Sequence, residues 1–156
     1  MPNPDKLQPS DVVQAVADRM FQRLARMFPV CSTSDEFYYF PQVQICDNTW
    51  SKWDDFSLEA VDELADELLA WEDELAFAAK NNPDRETNRE ISLLSRIAYT
   101  LREELTQVCI HQTQPTFYLS IASIGLAETL NCNPVVWKAR VESLPAFLDC
   151  AMMNLR

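Results

Sequence analysis

The chain has 156 residues, of which 47% are hydrophobic and one is glycine. Because glycine supplies the backbone conformations of tight hairpins and phosphate-binding loops, its scarcity favours helices and excludes a Gly-rich nucleotide motif. The formal net charge of −11 argues against binding to nucleic acids or to an anionic membrane surface. The length suits a single domain over residues 1–156.

The cysteines and the first residues of the chain bear on its location. Five cysteines occur without a C-x-x-C pair, and the first residues lack a cationic end followed by an apolar core. No segment holds about 20 continuous apolar residues, the length of a membrane span. These features predict a cytoplasmic protein with reduced thiols, without a signal peptide and without a membrane segment.

The first predicted helix runs from about Asp11 to Phe28. Ser10 or Asp11 is expected to cap its first amides, and Pro29 ends it. Its apolar residues recur every four positions, which places them on one helix face. They are Val12, Val16, Met20, Leu24 and Phe28.

Residues 29–56 show no helical period but carry 7 of the 16 aromatic residues of the chain. A solvated linker would be less aromatic than this. We therefore expect a long, irregular but ordered segment that lies across the helices. Its aromatic residues either cover a helical core or form one wall of a binding site.

The second predicted helix begins at Ser57, a favourable N-cap, and Phe56 is expected to pack on Val61. Its core stripe consists of Val61, Leu64, Leu68, Trp71 and Leu75. Ten carboxylates and no basic residue lie between Asp54 and Leu75. This acidic surface is a solvated face, a docking surface for a basic partner, or a metal site. The candidate partner face consists of Glu63, Asp66, Glu67 and Glu74.

The third predicted helix follows the sequence NNPD, and Thr87 with Glu90 is expected to form its capping box. Its apolar residues recur with alternating spacings of three and four, which is typical of helices packed at shallow angles. They are Ile91, Leu94, Ala98, Leu101, Leu105 and Val108. We expect this helix to reach about Gln112 and to form an antiparallel hairpin with the second helix through the connection at Lys80 to Asp84.

A fourth helix is expected from Thr116 to Leu130, with Pro115 ending the third helix and starting this one. Apolar residues surround most of its circumference, which predicts a central and buried helix. Gly125 lies within it and weakens it by about 1 kcal/mol relative to alanine. A close approach by a neighbouring helix would explain the glycine.

The last predicted helix begins at Asn133 and Pro134 and either kinks at Pro145 or divides there into two. Its apolar stripe is Trp137, Val141, Leu144, Leu148, Ala151 and Leu155. The stripe reaches Arg156 without a cap, which favours residues 1–156 being the N-terminal part of a longer protein. The predicted fold is all-α, with about five helices in a mostly antiparallel bundle and the irregular segment at 29–56.

His111, the only histidine, ends the third predicted helix, where the helix dipole would stabilise a protonated ring. Gln114, Thr116 and Tyr118 follow it with uncharged hydrogen-bonding groups. These groups either satisfy the helix ends or line a pocket. The candidate cleft-lining residues are therefore His111, Gln114, Thr116 and Tyr118.

Catalytic motifs are scarce in this sequence. One histidine excludes a His-Glu-x-x-His zinc motif within the chain, and the G-x-S-x-G nucleophile motif is absent. Cys109 and His111 are two positions apart, so on a helix their side chains face different directions. We assign no catalytic residue, metal ligand or cofactor, while an acid–base pair of carboxylates stays open.

Two stretches carry a resemblance to a known family. TQPTFYLSIASIGLAETL, followed by RVESLPAFLDCAMMNL, resembles the N-terminal half of a bacterial family of long helical proteins of unknown function, thought to be related to zincin metallopeptidases. FYYFPQVQ and WSKWDDF are similar to the same region, and the resemblance covers roughly residues 36 to 155. It implies a helical portion that forms one wall of a deep cleft, with the family's His-Glu metal motif beyond Arg156.

Two functions follow as expectations. The first is a non-catalytic helical module that supplies a cleft wall, with the missing C-terminal half as its partner. The second is a stand-alone acidic adaptor that binds a basic or helical protein. Neither expectation includes a cofactor, nucleic acid or membrane, and a homo-oligomer is compatible with both.

Overall fold

The computed structural model describes residues 8–43, 51–80, 84–132 and 134–156. Within these ranges all regular structure is helical, without a strand. None of the helices in them is long and apolar enough to cross a membrane. The all-α prediction is therefore confirmed.

Five long helices make up most of the described chain. They are α1 (Pro9–Met27), α2 (Leu58–Lys80), α3 (Arg85–Glu103), α5 (Pro115–Cys132) and α6 (Pro134–Asn154). A π-helical turn, Glu104–Val108, and the short α4, Ile110–Thr113, separate α3 from α5. Helix α2 packs on α1 and α3, and α5 packs mainly on α6.

Helix α1 buries most of its predicted stripe, including Val16, Met20 and Leu24. Its start differs from the prediction. Gln8 is the N-cap, and its backbone N–H donates to Oδ2 of Asp11 at 3.2 Å. Asp11 therefore takes part in capping, as the N3 member of a capping box, whereas the N-cap role predicted for Ser10 or Asp11 was wrong because the helix already begins at Pro9, whose fixed φ suits a first turn.

Helices α2 and α3 bury the apolar stripes that the sequence predicts. The buried residues of α2 include Val61, Leu64, Leu68, Trp71 and Leu75, and those of α3 are Ile91, Leu94, Ala98 and Leu101. Asp84 caps α3, since its carboxylate accepts from the backbone N–H of Thr87 at 2.8 Å and from its hydroxyl at 2.7 Å. The capping box predicted for Thr87 and Glu90 was wrong, because the helix begins earlier, at Arg85.

The third helix does not continue unbroken to Gln112, as the sequence predicted. After the π-helical turn, Cys109 adopts the left-handed conformation with φ of 52°. The wider turn changes the register of the helix, so Leu105 is buried while Val108 is exposed. The break reorients the chain before α4, which carries His111.

Helix α5 begins at Pro115, as predicted, but it is not a central helix. Phe117, Tyr118 and Ile121 are buried, whereas Leu119 and Leu130 are 57% and 56% exposed. The expectation of burial all round was therefore wrong. One side of α5 packs on α6 and on the irregular segment, and the other side faces solvent.

Helix α6 passes through Pro145 as one helix, and its buried face differs from the predicted stripe. Val141 is exposed, and the buried residues are Arg140, Phe147, Ala151 and Asn154. Polar partners explain the change, since Arg140 donates to the carbonyl of Gly125 at 2.6 Å and Asn154 to the hydroxyl of Tyr118 at 3.2 Å.

The described parts of the irregular segment lie against the helices through aromatic side chains. Phe37, Phe40 and Phe56 are buried, and the ring of Phe28 is 4.9 Å from that of Phe40 and 4.5 Å from that of Phe56. Residues 44–50 of the predicted segment lie outside the described residues. The prediction for 29–56 as a whole therefore stays a prediction.

Candidate functional site

A groove of about 580 Å³ lies between residues 51–57 and α6. Trp53 and Phe56 of the irregular segment, Tyr118 of α5 and Phe147 of α6 contribute its aromatic surface. We call it the Trp53 groove. Its volume lies within the range of about 300–1,000 Å³ that is typical of ligand-binding pockets.

Apart from Phe147 and Asn154, the residues on the α6 side of the Trp53 groove have small side chains. They are Ala139, Ser143, Ala146, Cys150 and Ala151. The lining residues of α6 extend from Ala139 to Asn154, which corresponds to about 22 Å along the helix axis at 1.5 Å per residue. The groove is therefore elongated, and its helical wall lets another backbone approach closely.

Trp53 is held in place from three directions. Its ring stacks on that of Phe147, with 4.9 Å between centroids, and its Nε1–H donates to the carbonyl of Arg140 at 3.1 Å. The guanidinium of Arg140 lies 5.5 Å from the Trp53 ring centroid, within the range of a cation–π contact. The aromatic wall of the groove is thus fixed by α6 before any ligand binds.

Gly125 makes this close packing possible. A Cβ atom on Gly125 would lie 2.8 Å from Cζ3 of Trp53, 3.0 Å from Cγ2 of Val30 and 3.1 Å from Nη1 of Arg140. Any side chain at this position would therefore collide with its neighbours. The glycine allows a close approach, as expected from the sequence, but the approaching groups are side chains, including those of the irregular segment.

Asp54 lies beside Trp53 in a buried, polar environment. Its Oδ1 accepts from the backbone N–H of Val30 at 2.6 Å and its Oδ2 from that of Cys31 at 3.0 Å. Burial raises the pKa of Asp54 to about 6, although these bonds and the charge of Arg140 oppose the rise. Burial also raises the pKa of the Cys31 thiol, and the charge of Asp54 adds to this. The carboxylate therefore ties the start of the irregular segment to the groove.

Arg140 is fully buried, which is uncommon for an arginine. Its Nη1 donates to the carbonyl of Gly125, while Nε and Nη2 have no hydrogen-bond partner among the described residues. Burial lowers the pKa of Arg140, and the charges of Asp54 and Glu128 oppose the shift. The guanidinium is thus a buried cation, balanced by two carboxylates at longer range, behind the wall of the Trp53 groove.

The structure separates the four predicted cleft-lining residues. Tyr118 lines the Trp53 groove, while Gln114 and Thr116 are exposed and are not among its lining residues. His111 is fully buried behind Phe56, with 5.7 Å between their stacked rings. The hydroxyl of Tyr118 donates to the carbonyl of His111 at 2.7 Å. The chain thus brings His111 and Tyr118 together but leaves the other two outside.

The environment of His111 favours a neutral ring. Burial lowers the pKa of His111, and its Nδ1 atom has no hydrogen-bond partner in the part of the chain that the structure describes. From the sequence we expected the dipole of a long helix to stabilise a protonated ring. Instead, His111 belongs to the four-residue α4, beyond the break at Cys109.

The predicted acidic partner face is largely engaged with α1. Arg23 pairs with Glu67 at 2.9 Å and with Glu63 at 3.5 Å, and Arg19 pairs with Glu74 at 2.6 Å. Asp66 is exposed. Three of the four predicted acids therefore help to hold α1 against α2.

The Trp53 groove combines carboxylate, thiol and apolar groups. In the part of the chain that the structure describes, histidine, cysteine, aspartate and glutamate form no cluster suited to a metal ion. The Asp54 carboxylate accepts two backbone N–H groups, and Cys150 contributes an exposed thiol. The remaining surface is mostly aromatic and aliphatic, which suits apolar side chains of a ligand.

Trp53, Arg140 and Phe147 were not candidates in the sequence. Trp53 had a signal, since it lies in an aromatic segment that we considered as a binding wall. Arg140 and Phe147 directly precede Val141 and Leu148 of the predicted stripe. The stripe therefore predicted burial of the neighbouring face of α6 instead of theirs. Nothing in the sequence distinguishes buried Arg140 from exposed Lys138.

Comparison with protein-family models, with curated proteins and with solved structures finds no match to this chain.

Proposed function

We propose that this chain is a non-catalytic helical module whose Trp53 groove binds an apolar polypeptide segment. The observation that carries the proposal is the groove itself, about 580 Å³ in volume, with aromatic residues beside a wall of mostly small α6 side chains. A surface of this kind is expected of a helical module that forms one wall of a cleft. The bound segment belongs to a following part of the same protein or to a separate partner.

The dimensions of the groove favour a polypeptide over a compact cofactor. The α6 wall extends over about 22 Å, the length of about four helical turns. Ala146 and Ser143 allow a bound backbone to lie close, while Trp53 and Phe147 offer apolar contact area. Aromatic residues in well-packed, desolvated positions often dominate the energy of protein interfaces.

The acidic-adaptor alternative has less support. Glu63, Glu67 and Glu74 already pair with Arg19 and Arg23. A basic partner would have to compete with these contacts.

Other parts of the proposal rest on the sequence alone. They are a single domain over residues 1–156, a mostly antiparallel order of the helices, a cytoplasmic location and kinship with the metallopeptidase-related bacterial family. The kinship has its own test. In the natural gene, the codons after Arg156 should encode the family's His-Glu metal motif. A stop codon there would contradict the proposal that residues 1–156 are a fragment, and would leave a shortened relative without the motif.

The binding function can be tested with short random peptides displayed on phage and selected on the full chain. Ala146→Trp would fill the Trp53 groove, whereas Ala76→Trp places the same ring on an exposed position of α2. Selected peptides should bind wild type and Ala76→Trp alike and bind Ala146→Trp at least about tenfold more weakly, a loss of about 1.4 kcal/mol.

Circular dichroism and a thermal melt show whether both variants fold. Failure to enrich any peptide, or equal binding to both variants, would show that the groove is not a peptide site. If Ala146→Trp does not fold, covalent labelling of Cys150 provides a second test. Selected peptides should slow that labelling, and an unchanged rate would contradict the proposal.

A further inference from the structure

Three arginines form a row on the solvent side of α3. Arg85, Arg89 and Arg96 are all exposed. At 3.6 residues per turn they fall within an arc of about 40°, and they span about 16 Å along the axis. The row lies opposite the buried stripe that begins at Ile91. Together with Asn88, Ser92 and Leu93, it lines a surface depression of about 610 Å³.

The arginines of this row form no ion pairs within the described part of the protein. Arg19, Arg23 and Arg102 form ion pairs with carboxylates of α2, and Arg102 also pairs with Glu103. None of the described carboxylates lies within ion-pair distance of the row. In a chain with a net charge of −11, a row of unpaired cations is a local reversal of the surface charge.

An apolar hollow adjoins the arginine row. It has a volume of about 200 Å³, and its lining includes Tyr38, Phe40, Pro41 and Ile97. Leu93 and Arg96 line both the hollow and the depression beside the row, so the two are continuous. Tyr38 is 87% exposed and Leu93 is 61% exposed, which leaves a large apolar area in contact with solvent. We call this feature the tyrosine hollow.

We propose that the arginine row and the tyrosine hollow form a docking surface for an acidic polypeptide segment with one apolar anchor residue. Carboxylates of the segment pair with Arg85, Arg89 and Arg96, and the anchor enters the hollow beside Tyr38. The hollow is smaller than the roughly 300 Å³ at which drug-sized pockets begin, which suits a single side chain.

Charge complementarity selects this partner. An arginine guanidinium binds carboxylates in a bidentate geometry, and a row about 16 Å long matches a short peptide. The phosphates of a nucleic acid could also pair with the arginines, but the acidic remainder of the chain would repel a continuous phosphate backbone. This surface involves α3 and residues 38–41, so its partner need not compete with a ligand of the Trp53 groove.

The proposal can be tested with fluorescein-labelled peptides that combine several glutamates with one phenylalanine at varied positions. Control peptides carry glutamine in place of glutamate, or alanine in place of phenylalanine. Fluorescence polarisation on the full chain should show binding that weakens as salt is added, because exposed ion pairs are screened. Both control peptides should bind more weakly than the parent.

Charge reversal at the row provides the matched comparison. Arg89→Glu with Arg96→Glu should weaken binding at least about tenfold. Lys80→Glu with Lys138→Glu changes the net charge equally on other helices and should change binding less than about twofold. Tyr38→Ala should weaken binding of the phenylalanine peptide but should leave binding of the alanine control peptide unchanged. All these side chains are exposed, so we expect every variant to fold.

Several results would overturn the proposal. Equal peptide binding by Arg89→Glu with Arg96→Glu and by Lys80→Glu with Lys138→Glu would show that the arginine row does not bind the peptide. The absence of binding at millimolar peptide would show the same. Tighter binding of a single-stranded oligonucleotide than of any acidic peptide would assign the surface to nucleic acid. Self-association in sedimentation that Arg89→Glu with Arg96→Glu abolishes would assign it to a second copy of this chain.

Discussion

Replacing Gly125 with alanine is predicted to destabilise the protein, although alanine normally favours a helix. In an open helical position this change adds about 1 kcal/mol of stability. In α5 the new Cβ would lie 2.8 Å from Cζ3 of Trp53 and 3.1 Å from Nη1 of Arg140. Contacts under 3.0 Å require movement, and overpacking of this kind costs about 1–3 kcal/mol.

The net effect follows from these two opposing quantities. The loss exceeds the gain by about 1 kcal/mol at the middle of the range, which lowers the melting temperature of a domain of this size by about 3 °C. Ring displacement offers little relief, because Trp53 is stacked on Phe147 and donates to the Arg140 carbonyl. Gly125→Leu places more atoms in the same space and should cost more than alanine.

Thermal and denaturant unfolding of the full chain measure this effect. Ser123→Ala, at an exposed position of the same helix, is the matched control and should be neutral or stabilising. In a Trp53→Leu background the nearest atom is removed, so Gly125→Ala should destabilise the protein less than it does in wild type. A melting temperature raised by Gly125→Ala in the wild-type background would refute the close packing behind the Trp53 groove.

Three further predictions concern titration, backbone strain and thiol access. Asp54 should titrate with a pKa of about 6 by carbon NMR. Because this folded-state pKa is raised above its unfolded value, the folded state binds the proton first, and Asp54 contributes up to about 3 kcal/mol more to the free energy of unfolding as pH falls from 6 to 4. A pKa near 4 would contradict its burial. Cys109→Gly should raise the free energy of unfolding by up to about 1 kcal/mol in urea titrations, because glycine adopts positive φ freely. Ser123→Gly, in a regular helix, should lower it. A lower free energy of unfolding in both variants would count against the left-handed conformation of Cys109. Iodoacetamide should modify exposed Cys150 rapidly and buried Cys31 only on unfolding, as followed by peptide mass spectrometry, and comparable rates at both would disprove the assigned burial.

The sequence predicts the elements that depend on local periodicity. The stripe of α2 and, except for Val108, that of the third helix were correct because each helix has one apolar face that must be buried, as at Leu64 and Ala98. The start of α5 at Pro115 was correct because proline suits a first turn. These features can be predicted without knowing which helices pack against each other.

The break after α3 had no such local signal. Residues 104–109 contain neither glycine nor proline, yet Cys109 adopts positive φ. Cys109 ends the π-helical turn, where its backbone N–H donates to the carbonyl of Glu104 at 3.0 Å. Just beyond the break, the hydroxyl of Tyr118 donates to the carbonyl of His111.

The Trp53 groove could be predicted only in part, because it depends on contacts between distant residues. The aromatic segment was recognised as a candidate binding wall, and Tyr118 as a candidate lining residue. The partner face of α6 was missed, because the burial of Arg140 depends on its bond to the Gly125 carbonyl and on its contact with Trp53. No periodicity argument selects an arginine as the buried residue.

NMR of the full chain with a selected peptide shows whether the Trp53 groove binds a polypeptide segment. We expect the largest shift changes at the indole N–H of Trp53 and at the amides of α6 from Ala139 to Asn154, with little change along α2. Shift changes confined to α2 and α3, with Trp53 unaffected, would show that the peptide does not bind in the groove.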